Sequence, residues 1–239
     1  MIVMLTSCLF GKSKAKREDN ATSIAEHFQL GFNAAQRGNL EEAVYEYQKV
    51  LALDPKHLKA HLNLGTVYGR QGNWKEEISQ YRRAIAIDPK FTAAYFNLGV
   101  AYSDRGELNE AIKQYQKTLQ IDPNYVEAHT NLGSIYFRKG RIDEALSEYQ
   151  KALQINPDYA RGYYNLGNVY REQGKKAEAI AALQKALELN PNLGEAHYVL
   201  AVLYFETKEY PQSVLHCDQA LKLGVVVDSK FLDRLKPYR

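Results

Sequence analysis

His61, His129 and His197 recur at equal spacing in this chain, and imidazole is a common metal ligand. Successive copies are twice 34 residues apart, with Tyr95 and Tyr163 standing midway. If each intervening block is a stacked pair of helices, two blocks put ~20 Å between copies. A single metal with bonds of about 2 Å cannot join them. The midway tyrosines point to a packing position that accepts either ring. His216 and Cys217 are neighbours on one predicted helix and so point in different directions, which argues against a nucleophile pair. Gly11-Lys12-Ser13 resembles the end of a phosphate-binding loop, but Thr6 holds the place of the upstream glycine and no strand precedes it. No dinucleotide fingerprint or metalloprotease motif appears. No catalytic residue, metal or cofactor is expected. What remains with a chemical use is a set of amides, Asn63, Asn97, Asn131 and Asn165, one in each of four successive blocks. An asparagine amide offers donors and an acceptor, so it can bond both the N–H and the C=O of one peptide unit. A regular ladder of such amides suits an extended backbone, whatever its side chains. Four merely solvated polar residues are the other reading that the sequence leaves open.

The elements that must position these residues follow from a repeat. Pro55, Pro89, Pro123, Pro157 and Pro191 return every 34 residues. Aligned on them, the chain divides into 24–57, 58–91, 92–125, 126–159, 160–193 and a weaker sixth unit, 194–227. A period of this size signals a solenoid in which each unit contacts mainly its neighbours. Such an architecture presents a long surface, so binding is the first function to consider.

Each unit carries two helical patterns. In the second unit Leu64 and Tyr68 lead the first helix, and Ile78, Tyr81, Ala84, Ile85 and Ile87 form the apolar stripe of the second. Gly38, Gly72, Gly106, Gly140 and Gly174 lie between the two helices, where positive φ ends the first. Asp54, Asp88, Asp122, Asn156 and Asn190 precede the prolines, and the residue before a proline is disfavoured in the α region. Gly31, Gly65, Gly99, Gly133 and Gly167 fall in mid-helix, at a cost of about 1 kcal/mol each. Their recurrence predicts close helix–helix approach, with Ala43, Ala111, Ala145 and Ala179 as small partners. Tyr47, Tyr81, Tyr115 and Tyr149 should fill the space beside them.

The pattern resembles the tetratricopeptide repeat, as in Asn97-Leu98-Gly99, Tyr102, Gly106, Ala111, Tyr115 and Pro123, and again in Asn131-Leu132-Gly133, Tyr136, Gly140, Ala145, Tyr149, Ala152 and Pro157. The resemblance implies an all-α fold: an α-solenoid, a right-handed superhelix of six helix-turn-helix repeats plus a C-terminal capping helix. It also implies that the first helix of each pair faces a concave groove. The four asparagines then lie at one position of that face, similar to the asparagine ladder of the O-linked N-acetylglucosamine transferase family. Gln29 and Val199 break the run at either end. Phe96, Arg138, Arg161, Tyr164 and Arg171 are the groove residues expected to give selectivity, since aromatic and arginine side chains anchor interfaces. Tyr198, Val202 and Phe205 extend that set, with Tyr164 and Tyr198 expected to be partly exposed, and Lys59 and Arg70 are basic candidates in the second repeat. The two-carboxylate clamp by which some family members hold chaperone tails is not supplied, because Phe96, Val100 and Asn165 stand where it needs other residues.

Departures from the pattern carry information too. Glu77 stands where a small packing residue is expected, which predicts local loosening or a charge that reaches the surface beside Arg82 or Arg83. The sixth repeat has Ala201, Lys208, Ser213 and Val225 at the positions of the usual Gly, Gly, Ala and Pro, as a terminal unit does. Asp228 can cap a last helix holding Phe231, Leu232 and Leu235.

The net charge of +3, with acidic and basic residues interleaved, does not suggest nucleic acid as an obligate partner. Cys8 and Cys217, far apart, make neither a disulfide framework nor a zinc site. Leu5-Thr6-Ser7-Cys8 resembles a bacterial lipoprotein box, and the polar stretch 11–23 would serve as its tether. Only seven residues precede Cys8 and none is basic, short of what a signal peptide needs. Two readings stay open: a lipidated Cys8 with a start upstream of Met1, or a chance match in a cytoplasmic protein. The expected organisation is an N-terminal segment 1–23, six repeats over 24–227 and a capping helix in 228–239. The expected function is a scaffold that binds an extended peptide or partner protein in its groove, the alternative being self-association through the convex face or terminal repeats. A membrane would enter only through the lipid anchor.

Overall fold

The structure, a computed structural model, describes residues 21–239. Cys8 and the rest of 1–20 lie outside them. Among the described residues there is no strand. The chain divides into two compact units, one ending at Ile121 and the other beginning at Asp122. The first holds α1 (21–36), α2 (Leu40–Leu53), α3 (Leu58–Arg70), α4 (Trp74–Ile87), α5 (Thr92–Asp104) and α6 (Leu108–Ile121). The second holds α7 (Val126–Arg138), α8 (Ile142–Ile155), α9 (Ala160–Glu172), α10 (Lys176–Leu189), α11 (Gly194–Glu206), α12 (Tyr210–Lys222), α13 (Ser229–Leu235) and a 3₁₀ turn at Lys236–Tyr238.

All five periodic prolines follow the second helix of a pair. The Asp or Asn before each leaves the helical region, as Asp54 (φ −134°) and Asp88 (φ −132°) do. Its side chain then accepts from the amide two residues on, as Asp88 Oδ1 does from Lys90 at 2.8 Å and Asn190 Oδ1 from Asn192 at 3.1 Å. The turn is thus closed across a residue that has no N–H to offer. Within each pair, the turn residue adopts positive φ, 77° at Gly72. In the sixth repeat Lys208 takes that conformation with φ 66°, at a cost of about 1 kcal/mol for a residue with a Cβ.

The mid-helix glycines sit against the large residues of the second helix. A methyl group on Gly65 would come within 2.6 Å of the Tyr81 ring, and one on Gly133 within 2.8 Å of Tyr149. At Gly167 the same space is filled by Leu183. Ala43, Ala111, Ala145 and Ala179 are fully buried. Close approach therefore repays the helix-propensity cost of glycine with dense packing.

The histidines are structural. His61 Nε2 lies 3.0 Å from the Pro55 carbonyl and its Nδ1 2.7 Å from Gln80 Oε1. His129 repeats this with Pro123 (3.0 Å) and Glu148 (2.6 Å), and His197 with Pro191 (3.2 Å) and His216 (2.8 Å). Each ring ties a proline turn to the second helix that follows it. His27, at the same repeat position and overlooked in the sequence, contacts Glu46 at 2.6 Å. Burial raises the Glu148 carboxyl, but hydrogen bonds from His129 and Lys151 outweigh it and hold the group below the usual range. Burial first, and His197 second, push His216 down to about 4, so its ring is neutral at neutral pH. Cys217 beside it is buried and faces Ala201, Phe231 and Leu235 instead.

At the end of the second unit Asp228 caps α13, accepting from Lys230 N at 3.2 Å. Phe231 and Leu235 bury against Ala201, Cys217 and Ala220, with Tyr198, Val202 and Phe205 packed around them.

Candidate functional site

Each unit has clefts on the face made by its first helices, with a tyrosine of the intervening second helix at the base. In the first unit the cleft between α3 and α5 has a volume of about 330 Å³ and is lined by Thr66, Gly69, Arg70, Glu77, Tyr81, Asn97, Val100 and Asp104. A smaller one between α1 and α3, about 140 Å³, includes Phe32, Tyr47, Asn63 and Arg70. In the second unit the cleft between α7 and α9, about 280 Å³, is lined by Ser134, Phe137, Arg138, Tyr149, Tyr164, Asn165 and Asn168.

The four asparagines are half-buried but not alike. Asn63 donates from Nδ2 to the Tyr47 hydroxyl at 3.1 Å, and Asn131 is also engaged. Asn97 and Asn165 have no side-chain hydrogen bond among the described residues. The reason lies one turn away. The hydroxyl of Tyr81, beneath Asn97, is 3.2 Å from Thr66 Oγ1. The hydroxyl of Tyr149, beneath Asn165, donates to Ser134 Oγ at 3.0 Å. Phe32 offers no such partner at the corresponding place in the first repeat, so there Tyr47 is left to the amide of Asn63. A hydroxyl residue beside the tyrosine therefore releases the next asparagine into its cleft.

The remaining expected residues are distributed as follows. Phe96 packs on Tyr115, ring centroids 5.8 Å apart. Tyr164 is half-buried, lining the α7/α9 cleft while its ring rests on the Leu183–Leu200 core. Arg138 stands exposed at that cleft, and Arg161 and Arg171 are exposed on α9. Arg70 is anchored, its Nη1 donating to the Ala35 carbonyl at 2.6 Å, while Lys59 is exposed. Tyr198 and Phe205 meet Phe231 at 6.1 and 5.6 Å, so α13 packs over part of each, and Tyr198 stays half-buried like Tyr164.

Glu77 points toward neither Arg82 nor Arg83, and Arg82 donates to the Tyr102 hydroxyl at 2.8 Å. Instead its carboxylate turns into the α3/α5 cleft. A methyl group on Gly69 would come within 2.5 Å of Glu77 Oε1, so Gly69 makes the room. The Tyr81 hydroxyl stands 3.5 Å away, at the limit of a hydrogen bond. Among the described residues no cation lies within ion-pair distance. Burial, chiefly, pushes the carboxyl above the ordinary range; Asp104 adds to this, while Tyr81 and Arg105 oppose it.

Models of the tetratricopeptide repeat match residues 35–72, 70–104, 101–140, 133–174 and 160–193, well over half of the chain. The chain belongs to the tetratricopeptide repeat family. Among solved structures, it is similar to the MamA protein at 28% identity, covering 72% of this chain and 93% of that one with a TM-score of 0.61. Pseudomonas aeruginosa PilF shares the fold at 19% identity, covering 92% of this chain and 100% of that one with a TM-score of 0.79. YrrB, described as a tetratricopeptide repeat protein with an unusual peptide-binding site, shares it at 22% identity, covering 82% and 97% with a TM-score of 0.58. No curated protein matches the chain. The chain is therefore an all-α repeat protein of a family of protein-interaction scaffolds.

Proposed function

We propose that this protein is a non-enzymatic scaffold that binds an extended peptide, or an extended segment of a partner protein, on the face formed by its first helices. The observation that carries this reading is the pair of half-buried amides, Asn97 and Asn165, each without a side-chain hydrogen bond among the described residues, in a cleft floored by a tyrosine. A half-buried amide gains most from a ligand that supplies both donor and acceptor, and a peptide backbone supplies both in one unit. Phe96, Tyr164, Arg138, Arg161 and Arg171 would then read side chains, while Asn63 and Asn131 serve the frame as well as the groove. The sequence of the ligand opposite the asparagines should matter little.

The test is selection of displayed random peptides on the full chain, followed by affinity measurement on a chosen binder. Replacing Asn97 and Asn165 together by Ala should cost about 0.5–1.5 kcal/mol for each lost hydrogen bond. Unchanged affinity in a double variant that folds normally would move the binding surface to the convex face or the end repeats, as a self-associating structural protein would require.

A further inference from the structure

We infer that the cleft between α3 and α5 is a specificity pocket for one cationic side chain, lysine or arginine, of the bound peptide. This rests on the groove reading above and adds to it the chemistry of the ligand. The starting point is a coupled departure from the repeat. Glu77 occupies a position where Ala43, Ala111, Ala145 and Ala179 stand elsewhere, and Gly69 one where Ala35, Ser103, Phe137, Arg171 and Phe205 stand. The two departures occur in the same repeat and meet in space, since the carboxylate of Glu77 fills the volume that a side chain at Gly69 would take. A packing site has thus been exchanged for a charge, and that charge faces a cleft of about 330 Å³.

That carboxylate is half-buried and has no counter-ion among the described residues. Neither of the two guanidinium groups near it forms an ion pair with it, although Arg70 lines the same cleft. Arg70 is bound to the Ala35 carbonyl. Arg105 lies 3.7 Å over the Trp74 ring and donates to Glu107 at 2.8 Å. Asp104, also without an ion pair among the described residues, adds a second negative charge at the exposed rim of the same cleft. A partly desolvated charge costs free energy unless it is paired, and among the described residues nothing pairs this one, so a cation on a bound peptide would relieve the cost. Among the described residues no group of three or more His, Cys, Asp or Glu could hold a metal ion. The fitting cation is therefore an ammonium or guanidinium, which donates several hydrogen bonds to carboxylates and to the Tyr81 and Thr66 hydroxyls. Asn97 lines the same cleft with its free amide, so one residue of the peptide can be gripped by backbone and side chain together.

Random peptides displayed on phage and selected on the full chain supply the probe. Selected sequences should carry Lys or Arg at one fixed position. Replacing that residue by Gln in a synthetic copy of a selected peptide should weaken binding to the unaltered protein about tenfold, the scale of a charge-assisted hydrogen bond. Glu77→Gln should cause the same loss for the cationic peptide and almost none for its Gln counterpart. Its thermal stability should be at least that of the unaltered protein, which a merely structural Glu77 would not show. Selected peptides without a fixed cation, or a cation preference that survives both Glu77→Gln and the peptide substitution, would overturn the pocket while leaving groove binding in place. A selection that yields no binder at all would remove the groove reading, and this inference with it.

Discussion

The α3/α5 and α7/α9 clefts are made from the same positions of two repeats, with Arg70 and Arg138 in corresponding places, yet their walls differ in chemistry. Their frames agree. Gly65 and Gly133 receive Tyr81 and Tyr149, and Thr66 and Ser134 hold the tyrosine hydroxyls. Asn97 and Asn165 are left free. They differ where Gly69 and Glu77 in one become Phe137 and Ala145 in the other. The first is a carboxylate in a space vacated by glycine. The second is a phenyl wall, with Tyr164 and Arg138 in the same lining. The comparison teaches that the repeat keeps its helix contacts constant and changes the chemistry of the cleft wall through one compensated pair of positions, in which volume lost at one is taken up at the other.

The largest expected effect comes from breaking that compensation. Ala145→Glu would drive a carboxylate into a fully buried position, the counterpart of Glu77 in its repeat. It should cost about 2–4 kcal/mol through overpacking and an uncompensated charge. If the two positions are coupled as in the α3/α5 cleft, adding Phe137→Gly should return about 0.5–3 kcal/mol relative to the sum of the single changes. Denaturant unfolding of the four proteins closes the cycle, and simple additivity would show that the positions do not communicate.

A middling effect separates the asparagines. Asn63→Ala removes the bond to Tyr47 and should lower stability by about 1 kcal/mol. Asn97→Ala and Asn165→Ala should stay within about 0.5 kcal/mol, having no bond to lose. For a selected peptide the order reverses, the latter two losing affinity and Asn63→Ala losing less. Equal thermal shifts across the three would contradict the role of Thr66 and Ser134.

The smallest effect is on pH. The carboxyl of Glu77 is raised, first by burial, so the folded chain holds this proton more tightly than the unfolded chain does. Its contribution to stability then falls as pH rises from the ordinary carboxylate value through the raised one. Glu77→Gln should match the unaltered protein below that interval and exceed it above, by less than about 1 kcal/mol because the group is half exposed and screened. Melting curves at acid and neutral pH read this directly, and a variant less stable at neutral pH would mean that the charge has a partner in the fold.

Much of this was legible in the sequence because it is local or periodic. The Asx-Pro stops, the glycine turns and the glycine–tyrosine contacts each follow from one residue type at one spacing. The histidines read correctly as packing residues, although their bonds to the proline carbonyls required coordinates. The asparagines were legible only as four equals, because whether each is free depends on a third residue, the hydroxyl beside the tyrosine below it. Glu77 was visible as an exception, but its direction was set by Gly69 on another helix. That glycine was the available signal, since both exceptions fall in one repeat. Tyr198 and Phe205 read as groove residues on the assumption that the face stays open, and α13 lies over part of each.

That last helix bears on how the molecule meets other copies of itself. Stacked repeats are an open-ended geometry: whatever surface the final pair presents is shaped to accept one more pair. Here the apolar edge of α11 and α12 is already occupied by Phe231 and Leu235, and Tyr238 stacks on Tyr210 at 3.6 Å. Growth of a head-to-tail filament through this edge would first have to peel α13 away. In the terms of a polymer, the seven residues of α13 occupy the growing end, taking the place on α11 and α12 that a further helix pair would need.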